Sequence, residues 1–477
     1  YVYQKLTFWS RLGLPNDLSS RSAQPFHLSD FQSHRKYGKT VGFYEGLKPC
    51  LSTIDPELIR AVLVTDFHKF ANRRNATTHK DLLNSSLFFT KYPNWKRIRA
   101  ILSPSFTTGK LKSFKPSFGQ SLDVLIAKLK SEIKSNNTID LRPIYDSFAF
   151  EVISKSAFGL NTDIINNAKH PVFEAAKSFF QTGFTVKTFL LFLFPQLAHY
   201  LDIHFFNEES QQIIANFIKQ VINERIANNF EVKDLLQLSI NASVFSPKVT
   251  TNSFEKLSEE ELLAQSINFM AAGYDTTATQ ISFITQFLAL NPNFQTKLVN
   301  EINSYFGDQS EVDYESVMKM PYLDAFFKEI MRFNCSVNRI DRIAENDCVL
   351  NGISIPKGTS IIIPVWALHL DADHYDEPNV FKPERFLPQN ESRIKGYTYL
   401  PFASGPRNCI GRKFAEMEIK YFMVKILPLF EFKAFKALIE YLIAREVNCV
   451  LTAQTVENEF RVQLETQEIS HFFRLNQ

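Results

Sequence analysis

One helical segment constrains this chain more than any other feature of its sequence. Ser258-Glu259-Glu260-Glu261 forms a capping box, with Ser258 as N-cap and Glu261 at the third helical position. The apolar pattern then runs unbroken to Leu290, where Asn291-Pro292 stops it. At 1.5 Å per residue, about 32 residues make a helix about 48 Å long, which crosses a whole domain and has to run through its interior. Its centre is nevertheless polar, reading Ala272-Gly273-Tyr274-Asp275-Thr276-Thr277. Gly in mid-helix costs about 1 kcal/mol relative to Ala and lets something approach the backbone, and a Thr hydroxyl that takes an i−4 carbonyl bends the axis. In a buried helix such a turn points to function, the alternative being a patch that faces solvent.

The rest of the pattern predicts a mainly α protein with a small β-rich region. Met320-Pro321-Tyr322-Leu323 opens a further helix that carries Glu329 and Arg332. Asn351-Gly352 and Pro356-Lys357-Gly358 separate short β-branched runs, including Ser360-Ile361-Ile362-Ile363, which read as a hairpin or small sheet. A Pro-rich loop covers 371–400 and contains Phe381-Lys382-Pro383-Glu384-Arg385-Phe386; loops of that length are functional or well packed.

Composition narrows the function. The chain has 477 residues with 53 Lys+Arg against 50 Asp+Glu, a balance that does not imply nucleic acid. Five cysteines, at 50, 335, 348, 409 and 449, form no C-x-x-C pair, which argues for a reducing environment and against a zinc ribbon. No run approaches the roughly eighteen apolar residues of a membrane span. The longest, Phe189-Leu190-Leu191-Phe192-Leu193-Phe194, stops at Pro195 and reads equally as a buried helix or as an interfacial patch dipping into lipid. The 46 Phe read chiefly as core filling, and a lipophilic pocket would inherit them.

The chemistry is concentrated in Phe402-Ala403-Ser404-Gly405-Pro406-Arg407-Asn408-Cys409-Ile410-Gly411, after which Arg412 to Leu429 reads as a helix. Cys409 thus precedes a helix N-terminus, whose macrodipole and unpaired N–H groups are expected to lower its pKa and prepare a thiolate metal ligand. Gly405 and Gly411 are expected to let a flat cofactor approach the backbone, and Arg407 to meet its acidic substituents. A lone Cys beside a helix is more often inert, but a chance match to F-x-x-G-x-R-x-C-x-G in a chain of this length is on the order of 10⁻⁴.

With these residues the chain resembles the cytochrome P-450 family of haem-thiolate monooxygenases, over nearly its whole length and with the motifs in the family's order. Trp95-Lys96-Arg97-Ile98-Arg99 is similar to the family's W-x-x-x-R, Ala272 to Thr277 to its oxygen-activation helix, and Glu329-Ile330-Met331-Arg332 to its E-x-x-R. The stretches around Ser103-Pro104-Ser105-Phe106-Thr107 and Ala367-Leu368-His369 look like the microsomal drug- and steroid-oxidising branch. The resemblance implies a single haem-thiolate domain over residues 1–477 with the cytochrome P-450 fold, a long central helix passing over the haem. It implies haem b with Cys409 as axial ligand. It also implies propionates held by Trp95, Arg99, Arg342 and Arg407, and a buried ion-pair triad of Glu329, Arg332 and Arg385. Phe402, Gly405 and Gly411 complete the cofactor loop.

Mechanistically, the resemblance implies a thiolate that promotes O–O cleavage, with Thr276 hydrogen-bonding dioxygen or its water and Asp275 connecting it to solvent. Phe269 and Ala272 are expected to face the substrate. The reaction implied is insertion of one oxygen atom of O2 into a lipophilic xenobiotic, steroid or fatty acid. Its electrons come from NADPH through NADPH-cytochrome P-450 reductase, with cytochrome b5 as a further donor. Lys96, Arg97, Arg412 and Lys413 are expected either to form the reductase docking face or to be an ordinary basic surface. The branch implies the cytosolic face of the endoplasmic reticulum membrane, with an anchor upstream of Tyr1.

Two departures stand out. After Arg332 the family usually has a Pro-containing turn, but this chain has Phe333-Asn334-Cys335-Ser336. About 435–453 the chain is longer than the family pattern, which reads as an insertion or a gene-model error. Three rival functions are a haem-thiolate isomerase or dehydratase acting on a peroxide, a non-catalytic haem carrier or gas sensor, and a Cys-nucleophile hydrolase. Asp275-Thr276 argues against the first two, and the last lacks a His placed by sequence to activate Cys409.

Overall fold

A computed structural model describes residues 7–18, 25–45, 48–74, 81–135, 139–179, 206–228, 234–245, 256–307, 312–434 and 461–466, with single positions between 200 and 232. The Phe189–Phe194 run and the 435–453 segment lie outside the described residues.

The principal elements are β1 (Asn16–Asp17), α1 (Phe26–Tyr37), β2 (Thr40–Glu45), β3 (Lys48–Thr53), α2 (Asn94–Leu102), α3 (Lys115–Ser135), β4 (Ile139–Asp140), α4 (Arg142–Phe158), α5 (Pro171–Phe179), α6 (Glu208–Asn228) and α7 (Glu259–Leu290). They continue with α8 (Pro292–Phe306), α9 (Pro321–Phe333), β5 (Arg339–Ile343), β6 (Cys348–Leu350), β7 (Ile353–Ile355), β8 (Ser360–Pro364), α10 (Val365–His369), α11 (Arg412–Ile426), β9 (Phe430–Ala434) and β10 (Arg461–Thr466).

α7 is the predicted 32-residue helix, and its capping box is formed in both directions: Glu261 N donates to Ser258 Oγ at 3.1 Å, and Ser258 N to Glu261 Oε2 at 3.0 Å. It is buried along most of its length and packs most extensively against α4. Gly273 serves that packing, because a Cβ there would stand 2.7 Å from Ile153 Cδ1 of α4. The close approach read from the sequence is thus made by a neighbouring helix. α11 stops at Ile426, three residues short of the expected end, since Pro428 disfavours helix in the residue before it.

β1-β2-β3-β8-β5 form a mixed sheet in that order, with β8 parallel to β3 (Cys50 opposite Ser360) and antiparallel to β5 (Arg339 opposite Pro364). β8 is buried at every position, which its run of three Ile requires. Asn351-Gly352 makes the expected hairpin turn between β6 and β7, both residues having positive φ. β5 alternates in burial and delivers Arg342 into the interior, fully buried. A second sheet, β4-β10-β9, closes beside α7 and α3.

Candidate functional site

The cysteine loop is held by its own backbone. Cys409 N donates to Phe402 O at 3.0 Å and Asn408 N to Gly405 O at 3.1 Å, while Ala403 and Gly405 take φ of 57° and 74°. A Cβ at Gly405 would lie 1.9 Å from the carbonyl oxygen of Leu63, so the loop's seat on the protein already requires this glycine. Gly411 is the N-cap of α11, and a Cβ there meets nothing within 4 Å. The Phe402 ring lies under the Arg412 guanidinium, 5.8 Å away.

The Cys409 thiol is solvent-accessible, unlike the buried Cys50 and Cys335. Its pKa departs from expectation: the surrounding protein's desolvation pushes it up, outweighing the Gly411 N–H and the guanidiniums of Arg99 and Arg73, which all favour the thiolate. Two residues short of the N-cap, it gains too little from the helix terminus to win that balance. Coordination to a metal would deprotonate it outright.

Four guanidiniums surround the loop. Arg99 reaches from α2 to Asn408, donating from Nη1 to its carbonyl (2.9 Å) and from Nη2 to its Oδ1 (2.8 Å). Its fork thus clamps the cysteine loop. Arg407, fully enclosed, lies 4.6 Å from the Trp95 ring centroid and donates from Nη2 to Thr90 O at 2.7 Å, leaving Nε without a partner. Arg342 donates from Nη1 to Asp341 O at 2.6 Å, and its Nε and Nη2 have no partner. Burial first, and then the neighbouring Arg73, holds both Arg342 and Arg407 down to about 9. Arg73, with Phe88 3.9 Å beneath it, was missed in the sequence; the Asn72-Arg73-Arg74 tandem was its only signal. Buried like charges with unsatisfied N–H groups require an anion.

The triad forms as expected. Arg332 and Glu329 are both fully buried and paired bidentately, Nε to Oε2 and Nη2 to Oε1, each 2.8 Å. Arg332 Nη1 donates to His369 O and Pro378 O at 2.8 Å, and Arg385 Nε stands 3.5 Å from Glu329 Oε1. His369 joins this core to the cysteine loop. Its Nε2 accepts from Leu400 N at 2.9 Å, and its Nδ1 lies 3.1 Å from Arg332 O. Burial and the Arg332 charge hold it neutral, its pKa down at about 3, so Nδ1 carries the proton.

On α7, Thr276 Oγ1 donates to Ala272 O at 2.7 Å, the i−4 bond expected, and Ala272 is exposed. Asp275 is paired with Arg142 of α4, Nη2 to Oδ1 at 3.2 Å, a partner the sequence did not show. The unusual turn after Arg332 is tied to both sides of the site. Cys335 Sγ reaches Pro401 O at 3.5 Å, and Ser336 Oγ lies 3.2 Å from Thr276 O and 3.1 Å from Gln280 Oε1. One hydroxyl proton cannot serve both acceptors. Turning the Gln280 amide lets its NH2 donate to Ser336, which then donates to the Thr276 carbonyl. Phe269 is the aromatic residue of α7 expected to face the substrate. It is buried with Trp95, Ile98, Leu102 and Leu87, its ring edge-on to Phe106 at 5.5 Å, because its side of α7 meets α2.

The basic face is also reduced. Arg97 pairs with Glu261 and Arg412 with Glu416, leaving Lys96 exposed and Lys413 3.2 Å from Thr108 Oγ1.

A helical body traversed by one continuous helix with a polar centre, with an exposed cysteine near buried arginines whose N–H groups lack partners, fits a protein that binds a thiolate-ligated cofactor. The Cytochrome P-450 family model matches residues 8–441. Cytochrome P-450 3A14 of Cavia porcellus is 36% identical over 440 residues, covering 89% of this chain and 86% of the relative. Cytochrome P-450 3A11 of Mus musculus is 37% identical over 413 residues (85% and 81%), and cytochrome P-450 3A5 of Homo sapiens 36% over 452 (91% and 89%). The chain belongs to the cytochrome P-450 family and is an oxidoreductase of the monooxygenase class with a haem-thiolate cofactor. The residues present fit that group: the orphaned donors of Arg342 and Arg407 are what two propionates require, and Cys409 supplies the accessible sulfur.

Proposed function

We propose that the protein inserts one oxygen atom of O2 into a lipophilic small molecule of xenobiotic, steroid or fatty-acid type. Its electrons come from NADPH through NADPH-cytochrome P-450 reductase, with cytochrome b5 as a second donor. Cys409 ligates haem b, and bound haem with that ligand supplies O–O cleavage. Arg342 and Arg407 hold the propionates beside Trp95, and Arg99 fixes the loop that presents the sulfur. Thr276 offers its hydroxyl at the polar turn of α7, Asp275 passes it a proton, and Ala272 leaves room for substrate.

One observation carries this reading. Adjacent residues Cys335 and Ser336 reach Pro401 O and Thr276 O, so a single turn separates the cysteine loop from the acid-alcohol pair. An acid and an alcohol at that place can deliver the protons that a monooxygenase needs and a peroxide isomerase does not. The microsomal likeness supports the cytosolic face of the endoplasmic reticulum membrane; no helix among the described residues is long and apolar enough to cross a membrane. Lys96 and Lys413 are the cations left for docking the reductase.

The test is turnover with reductase. Product formation should require NADPH and O2, and Thr276→Ala should keep haem while diverting electrons to peroxide. Rearrangement of an organic peroxide without reductase, together with no product from NADPH, O2 and reductase, would establish the isomerase instead.

A further inference from the structure

Beneath the polar turn of α7, on the side facing α4, one cation serves two acids. Arg142, the first residue of α4, donates from Nε to Asp146 Oδ1 at 2.9 Å, from Nη2 to Asp275 Oδ1 at 3.2 Å, and from Nη1 to Thr279 Oγ1 at 3.0 Å. The Asp146 side chain is 14% exposed, Arg142 23% and Asp275 38%. With both carboxylates ionised this trio carries a net negative charge in half-buried surroundings.

The other charged and titratable groups facing it are Tyr274 of α7 and Lys177 and Glu174 of α5. Lys177 is itself paired with Glu174 at 2.8 Å, so the counter-charge it offers Asp146 is shared and weaker than that of Arg142. Two carboxylates competing for one guanidinium hold a proton more tightly than either would alone. Burial is the main cause that raises both acids, Asp146 to about 6, with Arg142 pulling each down and the charge on Asp275 adding to the rise at Asp146.

We propose that Asp146 is a positioning residue for proton delivery: it shares one proton with Asp275 across Arg142 and refills Asp275 after that acid has given its proton to the site. The step is a proton transfer only. As Asp275 ionises, Arg142 shifts its hydrogen bonds toward it, the proton of Asp146 passes to Asp275 through water, and bulk solvent reprotonates Asp146. This rests on the relay role of Asp275 and adds its source. The sign follows from the acid's own titration: Asp146 is filled below about 6 and empties as pH rises through that value, so delivery weakens toward alkaline pH.

Two measurements on the haem-loaded protein test this. The first is the pH-dependent infrared absorption of protonated carboxyl groups, which needs neither substrate nor turnover. The second is the peroxide formed per NADPH with reductase and no added substrate. Asp146→Asn should remove one titrating carboxyl signal. It should also move the remaining titration, and the pH at which peroxide rises, downward, since Asp275 then has Arg142 to itself. Asp146→Glu should restore both. If Asp275→Asn raises peroxide while Asp146→Asn leaves the infrared titration and the peroxide profile unchanged, Asp146 has no such role and the relay reading stands. Should Asp275→Asn itself leave peroxide unchanged, the relay reading fails and this inference with it.

Discussion

Two clusters of buried arginines sit among the described residues, and they differ in one respect. Around Arg332 every nitrogen of that side chain has a carboxylate or carbonyl partner within the protein, the Lys382 N–H completes the shell of Glu329, and the one nitrogen without a hydrogen bond, Arg385 Nε, stands 3.5 Å from the Glu329 carboxylate that balances its charge. Around Arg342 and Arg407, three nitrogens have none, and the cations depress one another. The first cluster is finished by folding alone; the second is finished only by an anion from outside. Equal burial therefore marks structure in one place and a binding site in the other, and the accounting of donors tells them apart.

The comparison can be broken at either end. Arg332→Ala leaves the Glu329 carboxylate buried without its bidentate partner and should cost about 3–5 kcal/mol in both haem-free and haem-loaded protein, read as a fall in midpoint in denaturant. Gly405→Ala imposes a side chain on a positive φ and drives it into the Leu63 carbonyl; a loss of about 3 kcal/mol is expected, against about 0.5 kcal/mol or less for Gly411→Ala.

Arg342→Met separates the two clusters most sharply. It should weaken haem retention by about 2 kcal/mol, roughly thirtyfold in affinity, through lost charged hydrogen bonds. In the haem-free protein the same change should leave stability equal or higher, because a buried, incompletely paired cation is gone. Paired melts with and without hemin check this, and equal destabilisation of both forms would make Arg342 merely structural. A smaller effect than that of Arg342→Met is expected from Ser336→Ala, about 1 kcal/mol, seen as more peroxide per NADPH at unchanged haem content.

The elements legible in the sequence were those fixed by local signals. The bounds of α7 follow from a capping box and an Asn-Pro stop, the β6–β7 turn from Asn-Gly, and the triad from residues three apart on one helix turn plus Arg385. What was not legible depends on distant partners. Arg73 meets Arg407 across 334 positions, Arg97 is neutralised by Glu261 across 164, and Asp275 meets Arg142 across 133. Phe269 shows the same limit: helical spacing gives its face of α7, but not that α2 covers it. For Cys409 the helix terminus is a short-range sequence feature, whereas the desolvation that raises its pKa in the metal-free protein sums over the whole fold.

The account rests on sulfur ligation by Cys409, and the carbon monoxide difference spectrum of the reduced protein tests it most directly. The wild-type protein should give a strongly red-shifted Soret band, and Cys409→Ser should abolish it. A histidine-like band in the wild type, or a red-shifted band that survives in Cys409→Ser, would contradict the account.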